Sequence, residues 1–289
     1  MSFHQPVLLK EVIEWMNLTE GGIYCDCTVG GGGHLNAMLE KTTTARFIGI
    51  DLDPEAISYT KERCREYSSR LMLFEENFIN IDLILKETAL TSIDGFLFDL
   101  GASYHQLTTP WRGFSFNEEG PLSMQMSPES VPLYKKLRNA TKVTIHKILK
   151  EYGDVPHARQ IAHLIYEKRR ELKTTLDLRR LLEKNLPGAV LKKNLHRIFQ
   201  ALRIWVNDEL RNLSIGLQKA LRYLKLHGRI IVISYHSGED RIAKRIFLDY
   251  EKKGVVIRLN KKVIRPSDAE IKKNPSARSA RMRVIERCA

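Results

Sequence analysis

Through the first hundred residues, short apolar runs alternate with longer stretches of helical periodicity, the pattern expected where helices cover a parallel sheet. Strands are predicted at 23–28, 46–51, 71–74 and 93–99, and a helix at 54–67 with Pro54 in its first turn. From 101 to 130 the pattern dissolves into Gly, Pro, Ser and aromatic residues, a stretch longer than an ordinary connection and of the kind that carries function. Helical spacing returns at 143–152, 158–172, 176–186 and 196–206. The stripe Leu210, Leu213, Leu217, Leu221 and Leu224 then leads through Gly228 into the β-branched run 230–233, with further strands predicted at 255–259 and 282–285. The chain therefore reads as an α/β sheet domain interrupted by an insertion: residues 1–105 as its first part, 106–204 as an inserted loop and helical domain, and 205–289 as its second part.

Charge adds direction to this plan. The formal net charge is +13, but residues 1–133 carry −10, residues 134–203 carry +12, residues 204–240 carry +1 and residues 241–289 carry +10. An acidic third repels a polyanion, whereas two basic segments can track a phosphate backbone. No apolar stretch approaches the roughly 20 residues of a membrane span, and the N-terminus lacks the basic-then-apolar pattern of a leader, so a cytoplasmic protein with no membrane partner is expected. Cys25, Cys27, Cys64 and Cys288 lack the spacing of a zinc site, and no metal is expected. Cys25 and Cys27 fall on one face of their predicted strand, with Asp26 on the other.

The chemistry-bearing positions gather at predicted strand ends. Asp26-Cys27-Thr28-Val29 runs into Gly30-Gly31-Gly32-Gly33-His34, where the absence of side chains lets a ligand approach the backbone. The next strand ends in Asp51, placed to accept both hydroxyls of a ribose. A dinucleotide needs a pyrophosphate seat of the form G-x-G-x-x-G, and Gly33 here runs directly into His34-Leu35-Asn36. S-adenosylmethionine, a nucleoside without phosphate, suits the looser turn. Phe78, after the third strand, is a candidate to flank an adenine, and Asp99 ends the fourth.

These residues resemble the MraW (RsmH) methyltransferases. The resemblance runs through His4-Gln5-Pro6-Val7-Leu8-Leu9-Lys10-Glu11-Val12, the glycine turn, Asp51-Leu52-Asp53-Pro54 and Asp99-Leu100-Gly101-Ala102-Ser103 with Gln106-Leu107. It continues in Arg112-Gly113-Phe114-Ser115-Phe116, Gly120-Pro121-Leu122, Phe199-Gln200-Ala201-Leu202-Arg203, Val206-Asn207, His236-Ser237, Glu239-Asp240-Arg241, Asn274-Pro275 and Arg278-Ser279-Ala280. It implies a Rossmann-like methyltransferase sheet with an inserted helical domain, and S-adenosylmethionine contacts at Gly32, Gly33, His34, Asp51, Phe78, Asp99 and Gln106. It also implies a partner, the 16S rRNA of the small ribosomal subunit, methylated on N4 of cytosine 1402 in the decoding region.

For that reaction Asp99, Ser103 and His236 are the catalytic candidates, through hydrogen-bond acceptors for the amine protons or a proton relay, the alternatives being cofactor binding alone for Asp99 and an RNA contact or a structural hydrogen bond for His236. Tyr104 and Phe114 or Phe116 are candidates to stack on an extruded base, with core packing the alternative for each. Arg278, Arg281 and Arg283 read as phosphate-contacting or sheet-closing. Two alternatives stand beside this reading: a methyltransferase with a different RNA, protein or small-molecule substrate, and a non-catalytic S-adenosylmethionine-binding assembly factor. The sequence departs from the family at Ser123-Met124-Gln125-Met126-Ser127, where D-M-R-M-D is usual, and at Gly238, Tyr104 and 192–198.

Overall fold

The computed structural model describes residues 6–289, so His4 and Gln5 of the opening motif lie outside the described residues. In chain order the elements are α1 (Leu9–Met16), β1 (Ile23–Asp26), α2 (Gly33–Glu40), β2 (Arg46–Asp51), α3 (Pro54–Arg63), β3 (Leu71–Glu75), α4 (Ile81–Glu87) and β4 (Ile93–Asp99). Six helices come next: α5 (Tyr104–Thr108), α6 (Leu133–Asn139), α7 (Lys142–Gly153), α8 (Ala158–Lys168), α9 (Thr175–Asn185) and α10 (Gly188–Asn207). The chain then returns to sheet through α11 (Glu209–Tyr223), β5 (Leu224–Ser234), α12 (Ser237–Lys252), β6 (Val256–Arg258), α13 (Asp268–Lys273) and β7 (Arg281–Arg287). It divides into two compact units, one formed by the described residues up to Gly101 with Leu210–Ala289, the other by Ala102–Glu209. These junctions differ from the 105/106 and 204/205 read from the sequence. Periodicity could not mark the second of them, because Ile204 and Val206 continue the buried face of α10.

In the first unit seven strands lie in the order β3-β2-β1-β4-β5-β7-β6. The first five in sequence are parallel, while β7 runs antiparallel to both β5 and β6. Strand order reverses at β1, which has β2 on one side and β4 on the other. In an open sheet such a reversal leaves a crevice beyond the carboxyl ends of the flanking strands. Alternation along β4 explains the two-sided core: Phe96 and Phe98 pack with Cys25, Cys27, Leu213, Leu217 and Phe247 on one face. Leu97 packs with Tyr24, Phe47, Val12, Leu35 and Met38 on the other. Cys25 and Cys27 do share a face, their sulfurs 3.7 Å apart.

The strand and helix positions read from the sequence recur with adjusted ends. The helix predicted at 54–67 stops at Arg63 and tightens into a 3-10 segment, Arg65–Arg70. β5 is longer than its β-branched run, since Arg229 and Ser234 also pair with β7. Arg281 and Arg283 close the sheet: both reach Asp240 on α12, Arg283 Nε at 2.6 Å and Arg281 Nη1 at 3.3 Å. Of the three arginines read as phosphate contacts, only Arg278 is exposed.

The second unit packs α6 to α10 around its own core, including Leu137, Ile145, Leu149, Ile161, Leu178, Ile198 and Leu202. Its irregular stretch is ordered by close backbone contact. A Cβ on Gly113 would meet the Pro121 carbonyl oxygen at 2.0 Å, and one on Gly120 would meet the Pro110 carbonyl oxygen at 1.8 Å. Only glycine lets the two limbs touch. Asn207 then clamps the divergent segment, its side chain accepting from Met126 N at 2.9 Å and donating to Met124 O at 2.8 Å. These contacts reach main chain, so the changed side chains at Ser123, Gln125 and Ser127 leave the clamp in place.

Asp240→Ala leaves the buried Arg283 guanidinium uncompensated. A loss of about 3 kcal/mol of stability is expected, the usual cost of removing one partner of a buried pair, read as a lowered midpoint in urea unfolding.

Candidate active site

The glycine turn leaves the carboxyl end of β1 and enters α2. Gly30 and Gly32 take positive φ values of 51° and 68°, the left-handed region that glycine occupies without penalty. A Cβ on Gly32 would lie 2.9 Å from Thr60 Oγ1, and one on Gly33 would lie 3.0 Å from the Pro6 ring. The turn is therefore packed from beneath by α3 and from the N-terminal side by Pro6. Thr60 Oγ1 donates to Gly30 O, and Arg63 Nη1 donates to Gly31 O. From the end of β2, Asp51 accepts from Gly30 N through Oδ2 at 2.8 Å and from Asp53 N through Oδ1 at 2.9 Å. Asp53 in turn caps α3, accepting from Glu55 N.

His34 opens α2 and is 5 % exposed. Its Nε2 lies 2.9 Å from the Val7 carbonyl oxygen, which can only accept, so Nε2 carries the proton. Nδ1 then faces Asp99 Oδ2 at 3.4 Å. Asp99 also receives the Tyr235 hydroxyl on Oδ1 at 2.9 Å, and its own backbone N–H donates to Thr28 Oγ1 at 2.7 Å. One proton between Asp99 and His34 satisfies both groups, as carboxylic acid with imidazole or as carboxylate with imidazolium. The Pro6-Val7-Leu8 corner that holds His34 is itself tied down by α13, Glu270 Oε1 accepting from Leu8 N at 2.7 Å.

Burial dominates the electrostatics. Desolvation pushes Asp99 up to about 7, the Tyr235 hydrogen bond opposing the rise and the Glu239 charge adding to it. Desolvation likewise raises Asp26 to about 7 against the opposing charge of His34, and raises Asp51 to about 6 against its backbone hydrogen bonds. His34 is driven below its usual range by the same desolvation. Three carboxyls with raised affinity for protons stand at the ends of β1, β2 and β4, an arrangement poised to receive a positively charged ligand.

The other expected site residues have more varied surroundings. Phe78 comes after β3, with its ring packed edge-on to Phe98 (centroids 5.5 Å apart, interplanar angle 84°) and against Gly216 of α11, so it contributes to the core. Ser103 and Gln106, in the second unit, form the capping box of α5: Ser103 Oγ accepts from Gln106 N at 3.2 Å and Gln106 Oε1 accepts from Ser103 N at 3.0 Å. His236 caps α12, its Nδ1 accepting from Gly238 N at 3.1 Å and its Nε2 lying 3.2 Å from Glu239 Oε1. With Nδ1 accepting from the turn, the imidazole holds the start of α12. Phe114 is buried, and Phe116 packs edge-on against Phe199, which assigns both to the core. Tyr104 is half exposed.

Two residues were given no role by the sequence reading. Tyr235 contacts Asp99 directly, and Glu239 braces it by accepting from Tyr235 N at 2.8 Å and His236 N at 3.2 Å. The signal was available in the pairing of β5 beside β4, where Ile233 stands opposite Asp99. The residues just beyond Ile233 must therefore reach the same crevice.

A family model for the MraW methylase family matches residues 1–288. The chain belongs to that family. It is 40% identical to "Ribosomal RNA small subunit methyltransferase H" of Thermotoga neapolitana, with 98% of this chain and 96% of the relative covered. The protein of the same name from Coprothermobacter proteolyticus is also 40% identical over the same shares of the two chains. The methylase thus has S-adenosylmethionine as its methyl donor, and the site's chemistry fits that group. Side-chain-free backbone at Gly30 and Gly32 leaves room for close approach, the Asp51 oxygens keep lone pairs for ribose hydroxyls, and the buried carboxyls complement positive charge. Among the described residues no helix is long and apolar enough to cross a membrane.

Asp99→Asn mimics the protonated carboxyl, keeping an oxygen for Tyr235 and an N–H for His34. Asp99 titrates near 7 in the folded protein against about 3.9 unfolded, so the folded state binds the extra proton between those values. Its contribution to stability therefore falls as pH rises through that window. Thermal melts of the ligand-free protein from about pH 4 to 8 are expected to show the variant gaining on the wild type up to about pH 7, then holding a constant margin.

Proposed function

We propose that this methylase transfers a methyl group from S-adenosylmethionine to N4 of a cytosine in 16S rRNA, at position 1402 of the decoding region, acting in the cytoplasm on small ribosomal subunits. The observation that carries the reading is full-length likeness, at 40% identity, to relatives named as small-subunit rRNA methyltransferases. The charge distribution supports it, because the helical insertion is strongly basic and exposes Lys135, Lys142, Lys147, Lys150, Arg159 and Arg170 among others. A protein or small-molecule substrate leaves that charge without a task.

When bound, S-adenosylmethionine supplies an electrophilic methyl carried on a sulfonium. The protein's part is to position and to manage protons. Asp51 holds the ribose hydroxyls and at the same time fixes the turn through Gly30 N. Asp99 accepts hydrogen bonds from the cytosine amine, whose lone pair is delocalised into the ring and becomes nucleophilic as the nitrogen pyramidalises. As the N–C bond forms and the methyl–sulfur bond breaks, leaving a neutral thioether, the nitrogen loses one proton, for which the Asp99–His34 pair would be the adjacent acceptor. Ser103 keeps its hydroxyl proton while capping α5 and can donate it to RNA. Tyr104 and Trp111 are exposed, aromatic rings on which an unstacked base can lie.

Two measurements test this. Small subunits from a strain lacking the enzyme, incubated with protein and tritiated S-adenosylmethionine, are expected to gain label in a single 16S cytosine. Label in ribosomal protein, or none despite tight cofactor binding, overturns the reading, and Asp99→Ala is expected to abolish the signal. Asp51→Asn is expected to weaken S-adenosylmethionine binding by about tenfold to a hundredfold in calorimetry, the worth of a charge-assisted hydrogen bond.

A further inference from the structure

Tyr235 is built into place from three directions. Its ring lies over Gly101, where a Cβ would come within 3.4 Å of Cδ2, and Gly101 takes a φ of 95° that favours glycine. Its backbone N–H is held by the buried Glu239 carboxylate, which also receives the N–H of His236. Its hydroxyl ends on Asp99 Oδ1 at 2.9 Å. A phenol that served only to fill the core would not need a carboxyl partner, and the ring alone would pack as well on Gly101.

We infer that Tyr235 is a positioning residue for methyl transfer: its hydroxyl orients the Asp99 carboxyl and favours its charged, accepting form. The inference rests on the role proposed for Asp99 as acceptor of the amine protons. Asp99 is faced by His34 Nδ1 from α2, by the Tyr235 hydroxyl and the Glu239 charge from the β5–α12 turn, by Thr28 at the end of β1, and through space by Asp26. Within that set the Tyr235 hydroxyl is the neutral side-chain donor aimed at a carboxyl oxygen. It therefore opposes the desolvation that drives Asp99 toward the protonated acid, which donates where the amine needs an acceptor. A tyrosine achieves this without adding charge to the crevice, and burial together with Asp99 keeps the phenol itself protonated far above neutrality.

The test is Tyr235→Phe, which keeps the ring on Gly101 and removes only the oxygen. Carbon-13 NMR of the Asp99 carboxyl in the cofactor-free protein is expected to show its titration midpoint raised by about one unit. The acid limb of kcat against pH is expected to move up by the same amount. Activity near pH 7 then falls several-fold and approaches wild type near pH 9, while S-adenosylmethionine affinity stays within about twofold. In an Asp99→Asn background the same change is expected to add nothing, and circular dichroism melts control for folding. An unmoved midpoint and pH profile, or losses that multiply in the double variant, overturn the inference. Full activity of Asp99→Asn alone overturns instead the role of Asp99 on which it rests.

Discussion

A carboxylate at the end of β2 receives the amide proton of Gly30, and the shape of the whole glycine turn hangs on that contact. Four consecutive glycines have no rotamers to lock and little intrinsic preference for one path. The fixed path comes from outside: Asp51 on one amide, Thr60 and Arg63 on two carbonyls, and Pro6 against Gly33. Asp51 therefore already has a task toward the turn, and the contact proposed with the ribose hydroxyls gives it a second. Its neighbour Asp53 begins α3, the helix whose Thr60 supports the same turn. The cofactor seat is thus prepared by the adjoining strand and helix before any ligand arrives, which lowers the ordering cost of binding.

Preparing such a seat has a cost in desolvation. Asp26, Asp51 and Asp99 are drawn toward one end of the sheet because strand order reverses at β1, and each sits where water is scarce. The protein tolerates them with backbone hydrogen bonds, the Tyr235 hydroxyl and a shared proton with His34. A cationic ligand relieves the same stress. Site strain and ligand preference are two expressions of one arrangement, in keeping with the general tendency of perturbed carboxyls to mark functional clefts.

Much of this was visible in the sequence, for identifiable reasons. The four strand ends were legible because buried parallel strands leave short β-branched and aromatic runs bounded by polar residues. Asp51 and Asp99 were legible because those runs end on them. Phe78 was legible as an aromatic beside the crevice, but its packing on Phe98 and Gly216 was not, since an aromatic after a strand reads the same whichever way its ring turns. For His236 the sequence left proton transfer and a structural hydrogen bond both open, and the geometry adds that the imidazole caps α12. The contact of Tyr235 with Asp99 spans 136 positions of sequence, so no local pattern encodes it, and only the placing of β5 beside β4 brings the two together. The insertion's junctions blurred because a helix does not change its periodicity where one compact unit gives way to the next.

The cysteine distribution has a practical side. Cys25, Cys27 and Cys64 are buried, and burial pushes the Cys27 thiol well above its ordinary range and Cys64 up to about 11, while Cys288 is exposed near the chain's end. Thiolate, not thiol, attacks an alkylating reagent, so burial protects the three interior cysteines by access, and Cys27 and Cys64 by ionisation as well. The unmodified chain therefore carries its own attachment point. A fluorophore or spin label coupled under mild conditions goes to Cys288, and the slow appearance of a second adduct becomes a clock for the opening of the fold.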